Sequence, residues 1–276
     1  MAEQMDDVPQ DEPGKRTAAA RVLALLGAFA SGGGSLTLSE ISRYANLTLT
    51  TTHRLVKEVL QWGGLEIDDT GHYRLSSKIL DLASSSTEAM RLRERALPPL
   101  VELHGRTGLT VHLAVRDGTS VMYLEALRAH PNYTGENRIG GRLRLHLAAT
   151  GLVLLAFADE PFREEYLRGP LKRYTSETIT DPDALRTCLR FVRKNGYAVA
   201  SKFVAMGAGA VAAPVMGVDG TVQAAVGMVY RTDRCDPDRL IDPVRITAKR
   251  ISRSLWEPAQ LDPRTIDFNR RHAGLI

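Results

Sequence analysis

The sequence predicts a two-domain chain: a mostly helical winged helix–turn–helix unit with a small β-wing, followed by an α+β unit. Three observations predict it. Helical apolar periodicity runs from Ala18 to Gly63. A short alternating segment broken by Asp and Gly follows it. Beyond residue 109, strand-like runs are interleaved with helical ones.

The elements follow in order. Residues 1–16 combine clustered acids with two prolines and a glycine, which predicts a disordered acidic tail. Val22, Leu25, Leu26 and Phe29 stand at i, i+3, i+4 and i+7, one apolar face of a first helix that ends at Gly32–Gly34. A second helix begins near Leu38, with Ile41 and Ala45 inward. Asn46 and Leu47 make a short turn, and Thr48 can cap a third helix by accepting its free N–H groups. Thr52, Leu55, Val56, Val59 and Leu60 give that helix one buried side before Gly63-Gly64 stops it. Leu65–Ile67, the turn Asp68–Gly71 and His72–Leu75 read as a hairpin. Residues 77–105 read as largely helical. Ser84–Ser86 loosen the pattern, and Pro98-Pro99 are expected to disturb any continuous helix, so the domain boundary is placed between Ala83 and Ala96.

In the second unit, Thr110–Val115 and Ser120–Leu124 flank the turn Arg116–Thr119. Leu147–Phe157 is a short, very apolar helix. Asp181 caps another, with Pro182 at its first position and Leu185, Cys188, Leu189 and Val192 inward. Tyr197–Val199, Ala210–Val215 and Thr221–Tyr230 are further strands. A last helix opens at Asp236-Pro237 with Leu240, Val244, Thr247, Ile251 and Leu255 on its inner face, and residues 258–276 read as a loose tail.

Composition narrows the function. The chain has 276 residues, 25% of them charged, and a formal net charge of +4. Residues 1–14 hold five acids and no base, leaving 36 bases against 27 acids on the remainder. A basic body suits an anionic partner. Two cysteines make neither a disulfide scaffold nor a thiolate metal cluster. There is no signal-peptide pattern and no apolar run of about 18 residues or more, so no membrane partner is expected and the cytoplasm is the expected location. His104, His112, His130 and His146 lack metal-site spacing, and no nucleophile-elbow, Walker or dinucleotide motif occurs. No catalytic residue, metal or cofactor is expected.

A helix–turn–helix with a wing fits a major groove, where each base pair shows its own donors and acceptors. The outward side of the third helix carries Thr50, Thr51, His53, Arg54 and Lys57; His72 and Arg74 lie on the wing. Hydroxyls can reach phosphates or base edges, and Arg54 and Lys57 supply charge for the backbone. The pattern alone also fits a three-helix module that works through protein contacts, and a small-molecule enzyme is a more remote alternative.

The residues also carry a resemblance. In order along the chain come Arg21–Leu26, Thr37–Ile41, Thr51–Leu55, Gly71–Leu75, Gly108–Leu113, Val121–Glu125, Leu145–Gly151, Asn195–Val199, Ala212–Val215 and Asp219-Gly220. Their order and spacing over residues 17–257 resemble the IclR family of bacterial transcription regulators. The resemblance implies a winged helix DNA-binding domain at 17–82, a linker helix at 83–96 and a GAF-like effector-binding domain at 97–257. It also implies a homodimer or homotetramer that binds double-stranded operator DNA, responds to a small-molecule effector and, by family frequency, represses. It puts Thr50, Thr51, His53 and Arg54 at the start of the recognition helix; with Thr48, Lys57, His72 and Arg74 from the residue pattern these are the expected DNA contacts. Family members often open the recognition helix with a Pro-Lys-Ser-Thr-like run, where this chain has Thr48-Leu49-Thr50-Thr51, so its base preference should differ.

The resemblance places an effector cavity against the segment near 146–152, implicating His146, Ala149, Thr150 and Gly151, with Lys202, Ala210, Gly227 and Val229 from the facing sheet and loop. The N–H groups at that helix start suit an anionic oxygen. Leu152 replaces a common lysine, Ala200-Ser201-Lys202 a common acid, Ala210 a common cysteine, and Gly227 and Val229 common hydroxyl residues. An organic acid with an apolar or aromatic body is the expected effector.

Overall fold

The computed structural model describes residues 16–32, 34–84, 87–129 and 138–256, which fall into two compact units, 1–87 and 88–276. The expected acidic tail and C-terminal tail lie outside the described residues.

In the first unit, α1 (Ala18–Gly32), α2 (Leu38–Ala45) and α3 (Leu49–Trp62) enclose Leu25, Phe29, Ile41, Leu55, Val56 and Val59. Local chemistry sets the helix ends. Thr37 and Glu40 form a reciprocal capping box at α2, Asn46 closes it with φ of 50°, and the Thr48 hydroxyl accepts from Thr51 N–H at the start of α3. The predicted hairpin is present as β2 (Leu65–Ile67) and β3 (Tyr73–Leu75). A third strand that the periodicity does not show, β1 (Ser35–Leu36), pairs with β3. The Asp68 carboxylate accepts from Ser35, Thr70 and the His72 backbone, so it ties β1 to the wing turn. Those bonds hold its pKa well below the usual carboxylate range, the Ser35 hydroxyl foremost. Helix α4 (Ser77–Ser84) ends the unit.

The second unit is an antiparallel sheet between helices. Its strands are β4 (Thr110–Asp117), β5 (Ser120–Leu127), β6 (Arg142–Arg144), β7 (Ala198–Ser201), β8 (Ala208–Met216) and β9 (Val222–Arg231), ordered β6-β5-β4-β9-β8-β7. Helices α5 (Thr87–Thr107) and α9 (Asp238–Trp256) pack on one face, against Val111, Leu113, Val211, Val226 and Met228. The other face meets α6 (Ala149–Phe157), α7 (Glu160–Arg168) and α8 (Pro182–Asn195). Alternation along each strand assigns the residues. Val211, Val215, Val226 and Met228 face α5 and α9, whereas Ala198, Ala200, Ala212 and Ala225 face α6.

Three features differ from the sequence expectation. Helix α5 runs through Pro98 and Pro99. Each proline removes an N–H from the ladder, but Leu92, Ala96, Leu100 and Leu103 bury one stripe of the helix on both sides of them. Packing outweighs the two lost bonds. The edge strand β6 and helix α7 were also not anticipated, although Asp159 and Pro161 open α7 with the same cap-and-proline device that was read at Asp181.

Candidate DNA-contact and effector sites

The exposed side of α3 presents Thr50, His53, Arg54 and Lys57, together with Leu49, which the sequence reading passed over. Thr48 and Thr51 are engaged with each other at the cap: Thr48 Oγ1 lies 2.9 Å from Thr51 Oγ1. Both arginines expected at DNA already hold carboxylates. Arg54 pairs with Glu58 at 2.6 Å, one turn along, and Arg74 pairs with Glu66 at 2.8 Å, its cross-strand neighbour on the wing. His72 Nδ1 lies 2.8 Å from Thr70 Oγ1 within the wing turn. All four charged partners are about half exposed, so these pairs are weak and a phosphate can displace the carboxylates.

In the second unit, a cavity of about 70 Å³ opens between the start of α6, the sheet and the segment Phe203–Ala208. Ala149, Thr150, Ala210, Gly227 and Val229 line it, as expected from sequence. It exists because the α6 face of the sheet is built from alanines and glycines. Gly227 has no room for more: a Cβ there would sit 2.7 Å from Thr150 Cγ2. His112 and Tyr123 lie side by side on the cavity's polar side, ring centroids 4.6 Å apart, and Leu143, Leu147, Ala200 and Phe203 add apolar lining. His112 sits directly opposite Gly227 in the ladder, so its place was implicit in the strand register. Helix α6 begins at Ala148, which offers no side-chain cap. Its first N–H groups are therefore the orphan donors of a helix start, with the positive end of the dipole beside the cavity.

Three expected effector residues do not line the cavity. The His146 ring is buried elsewhere: Nδ1 lies 2.8 Å from Tyr166 Oη and Nε2 lies 3.0 Å from the Lys172 carbonyl. The Tyr166 hydroxyl also accepts from His146 N–H. Only an Nε2–H tautomer satisfies this set, with Tyr166 donating to Nδ1. Burial, opposed by the Lys172 bond and assisted by Arg144, pushes the imidazole pKa down, so the ring is neutral and structural. Gly151 is needed for backbone approach, because a Cβ there would meet the Leu145 carbonyl oxygen at 2.2 Å. That closeness arises where a 3₁₀ turn at Leu145–Leu147 folds against the first turn of α6. Lys202 has φ of 63° and its main chain is tied down, N–H to the Ala208 carbonyl and carbonyl to Thr175 Oγ1. It orients the loop beside the cavity.

A wider groove of about 650 Å³ lies at the opposite end of α6, near Arg116, Phe157, Arg163 and Arg193. It is open, and none of the expected effector residues reaches it. Among the described residues, no cluster of three or more His, Cys, Asp or Glu could hold a metal ion, and no helix is long and apolar enough to cross a membrane.

Residues 18–69 match the IclR helix-turn-helix domain, and residues 84–253 match the bacterial transcriptional regulator IclR C-terminal domain. The chain is 30% identical to the HTH-type transcriptional regulator XynR of Escherichia coli over 87% of its length and 97% of that protein. It is also 30% identical to the p-hydroxybenzoate hydroxylase transcriptional activator of Acinetobacter baylyi, over 82% of its length and 85% of that protein. Among solved structures, an IclR homologue of Microbacterium hydrocarbonoxydans complexed with 4-hydroxybenzoate superposes with a TM-score of 0.80 at 34% identity, covering 87% of this chain and 99% of that one.

Proposed function

Because the chain belongs to the IclR family of bacterial transcriptional regulators, whose members bind DNA through a helix–turn–helix domain, we propose specific roles for its two sites. The exposed side of α3 reads operator DNA in the major groove while the wing holds adjacent phosphates. Thr50, His53, Arg54 and Lys57 are the principal contacts, with Leu49 against thymine methyl groups. The chain assembles as a homodimer or a homotetramer in the cytoplasm, and two copies bind a two-fold site. The effect on transcription is repression; a fall in target transcripts in a deletion strain would contradict that sign.

The effector is an aromatic or similarly apolar carboxylic acid. The observation that supports this is the cavity itself: alanine, glycine and valine walls beside the uncapped start of α6. The carboxylate meets the N–H groups of that helix start and the Thr150 hydroxyl. The ring meets the apolar wall, and a second polar group on it lies against His112 and Tyr123. At about 70 Å³ the cavity holds only a few waters. A ring-sized ligand therefore requires Phe203–Ala208 to move outward. The relatives named for p-hydroxybenzoate hydroxylase and crystallised with 4-hydroxybenzoate support an aromatic acid.

Thermal-shift titration of the full chain tests this. 4-Hydroxybenzoate should stabilise it more than 4-hydroxybenzyl alcohol, pyruvate or glyoxylate, since a ligand that binds only the folded state raises its melting point. Equal stabilisation by the neutral alcohol would defeat the role of the helix start. Preference for the short acids would defeat the apolar-wall assignment.

A further inference from the structure

Strand β5 carries one residue more than its partner needs. Leu113 pairs with Glu125 and Ala114 with Tyr123, so Leu124 is left as a bulge. In an unbroken strand, residues two apart share a face. Here the bulge divides them. Tyr123 packs on the α6 face, where its ring lies against His112 in the cavity wall. Glu125 lies opposite Leu113 on the other face, where α5 packs, and its carboxylate is 2.8 Å from the Arg93 guanidinium of that helix. Its second oxygen accepts from Ala126 N–H at 2.9 Å. The Glu125 side chain is 5% exposed, whereas Arg93 is 34% exposed and stands near the end of α5 that joins the first unit in sequence.

We propose that this bulge transmits effector occupancy from the cavity wall to α5, with Tyr123 as the sensing side chain and the Glu125–Arg93 ion pair as the output. The proposal rests on the reading of the α6 cavity as the effector site. Its physical basis is twofold. The bulged Leu124 has no partner on β4, so a displaced Tyr123 can turn the Leu124 peptides at the cost of one loop bond, from Gly140 N–H to the Tyr123 carbonyl, and of no pair between β4 and β5. A buried carboxylate cannot cheaply lose its cation, so Arg93 follows Glu125. Arg93, one-third exposed, lies in the second turn of α5, the helix that follows the first unit in sequence. Arg93 and Glu125 are positioning residues; neither touches the ligand.

Hydrogen exchange of the full chain, without ligand or DNA, tests the coupling. Ala210→Leu fills the cavity from within. It should change exchange in peptides spanning residues 88–96 by about threefold or more. The same substitution in a Glu125→Gln background, or beside Tyr123→Leu, should leave those peptides unchanged. If Ala210→Leu fails to fold, Ala208→Leu at the cavity mouth serves the same comparison. A response of α5 that is absent, or equal in the Glu125→Gln background, overturns the proposal. A failure of 4-hydroxybenzoate to bind would count against the proposed effector alone, because the exchange measurement uses no ligand.

Discussion

Arg54 and Arg74 each meet a carboxylate before any phosphate arrives, and this sets how they contribute to DNA binding. Arg54→Ala should weaken operator affinity and make the dependence of log affinity on log salt shallower by about 0.9, the value for one lost phosphate contact. Glu58→Gln should do the reverse in affinity, because it removes the carboxylate that competes for Arg54 at 2.6 Å. Fluorescence anisotropy across a salt series measures both. The exposed positions were legible from periodicity. The competing carboxylates were less so. Glu58 could have been read from its i+4 spacing, but Glu66 faces Arg74 only through the strand register. His146 shows the same limit. Its sequence position at a helix start suggests a ligand-facing group, while its true partners lie 20 and 26 residues away. Its pKa is depressed in the fold, so its contribution to stability is complete above about pH 6.5 and is lost as pH falls below that value. Melting temperature should therefore drop between neutral and mildly acidic pH, and His146→Gln should flatten part of that drop. His146→Ala, which leaves the buried Tyr166 hydroxyl without its acceptor, should cost about 1–3 kcal/mol.

Helix starts are the elements that the sequence states most openly, because a cap is a contact over three residues. Thr48 and Asp181 cap where their neighbours indicate; at α2 the sequence offers both Thr37 and Ser39, and Thr37 is the cap, with Glu40 as its reciprocal partner. Thr48→Ala should destabilise the first unit by about 1 kcal/mol in chemical denaturation. Its DNA affinity should fall as well, since α3 begins there. Strands of two or three residues leave little periodic trace: β2 and β3 stand out because the turn Asp68–Gly71 joins them, whereas no such turn signal marks β1 or β6. Helix α5 was misjudged for the opposite reason: the local signal of two prolines is strong, and the burial that overrides it comes from a sheet formed later in the chain. At α6, Gly151→Ala should be severely destabilising, because its Cβ would overlap the Leu145 backbone rather than a side chain that could turn away. Its phenotype would then be loss of folded protein, distinct from the loss of ligand response expected of Ala210→Leu in a folded chain.

At the scale of the molecule, the two-unit plan and the α+β character of the second unit follow from the order of short motifs along the chain, and the matches over residues 18–69 and 84–253 agree with them. Of the sixteen residues that line the cavity, the sequence singles out five: Ala149 and Thr150 within the motif Leu145–Gly151, and Ala210, Gly227 and Val229 on neighbouring strands, whereas His112 and Tyr123 depend on which strands the sheet places beside one another. In the proposed function, an acid bound in the second unit governs the hold of the first on DNA. Footprinting on the DNA flanking the chain's own gene, with and without 4-hydroxybenzoate, measures this. A two-fold protected site at moderate salt is expected, its occupancy changing when the acid is added and not when 4-hydroxybenzyl alcohol is. Sequence-selective protection that ignores every acid tested would contradict the coupling, and no selective protection at all would contradict the DNA-binding role itself.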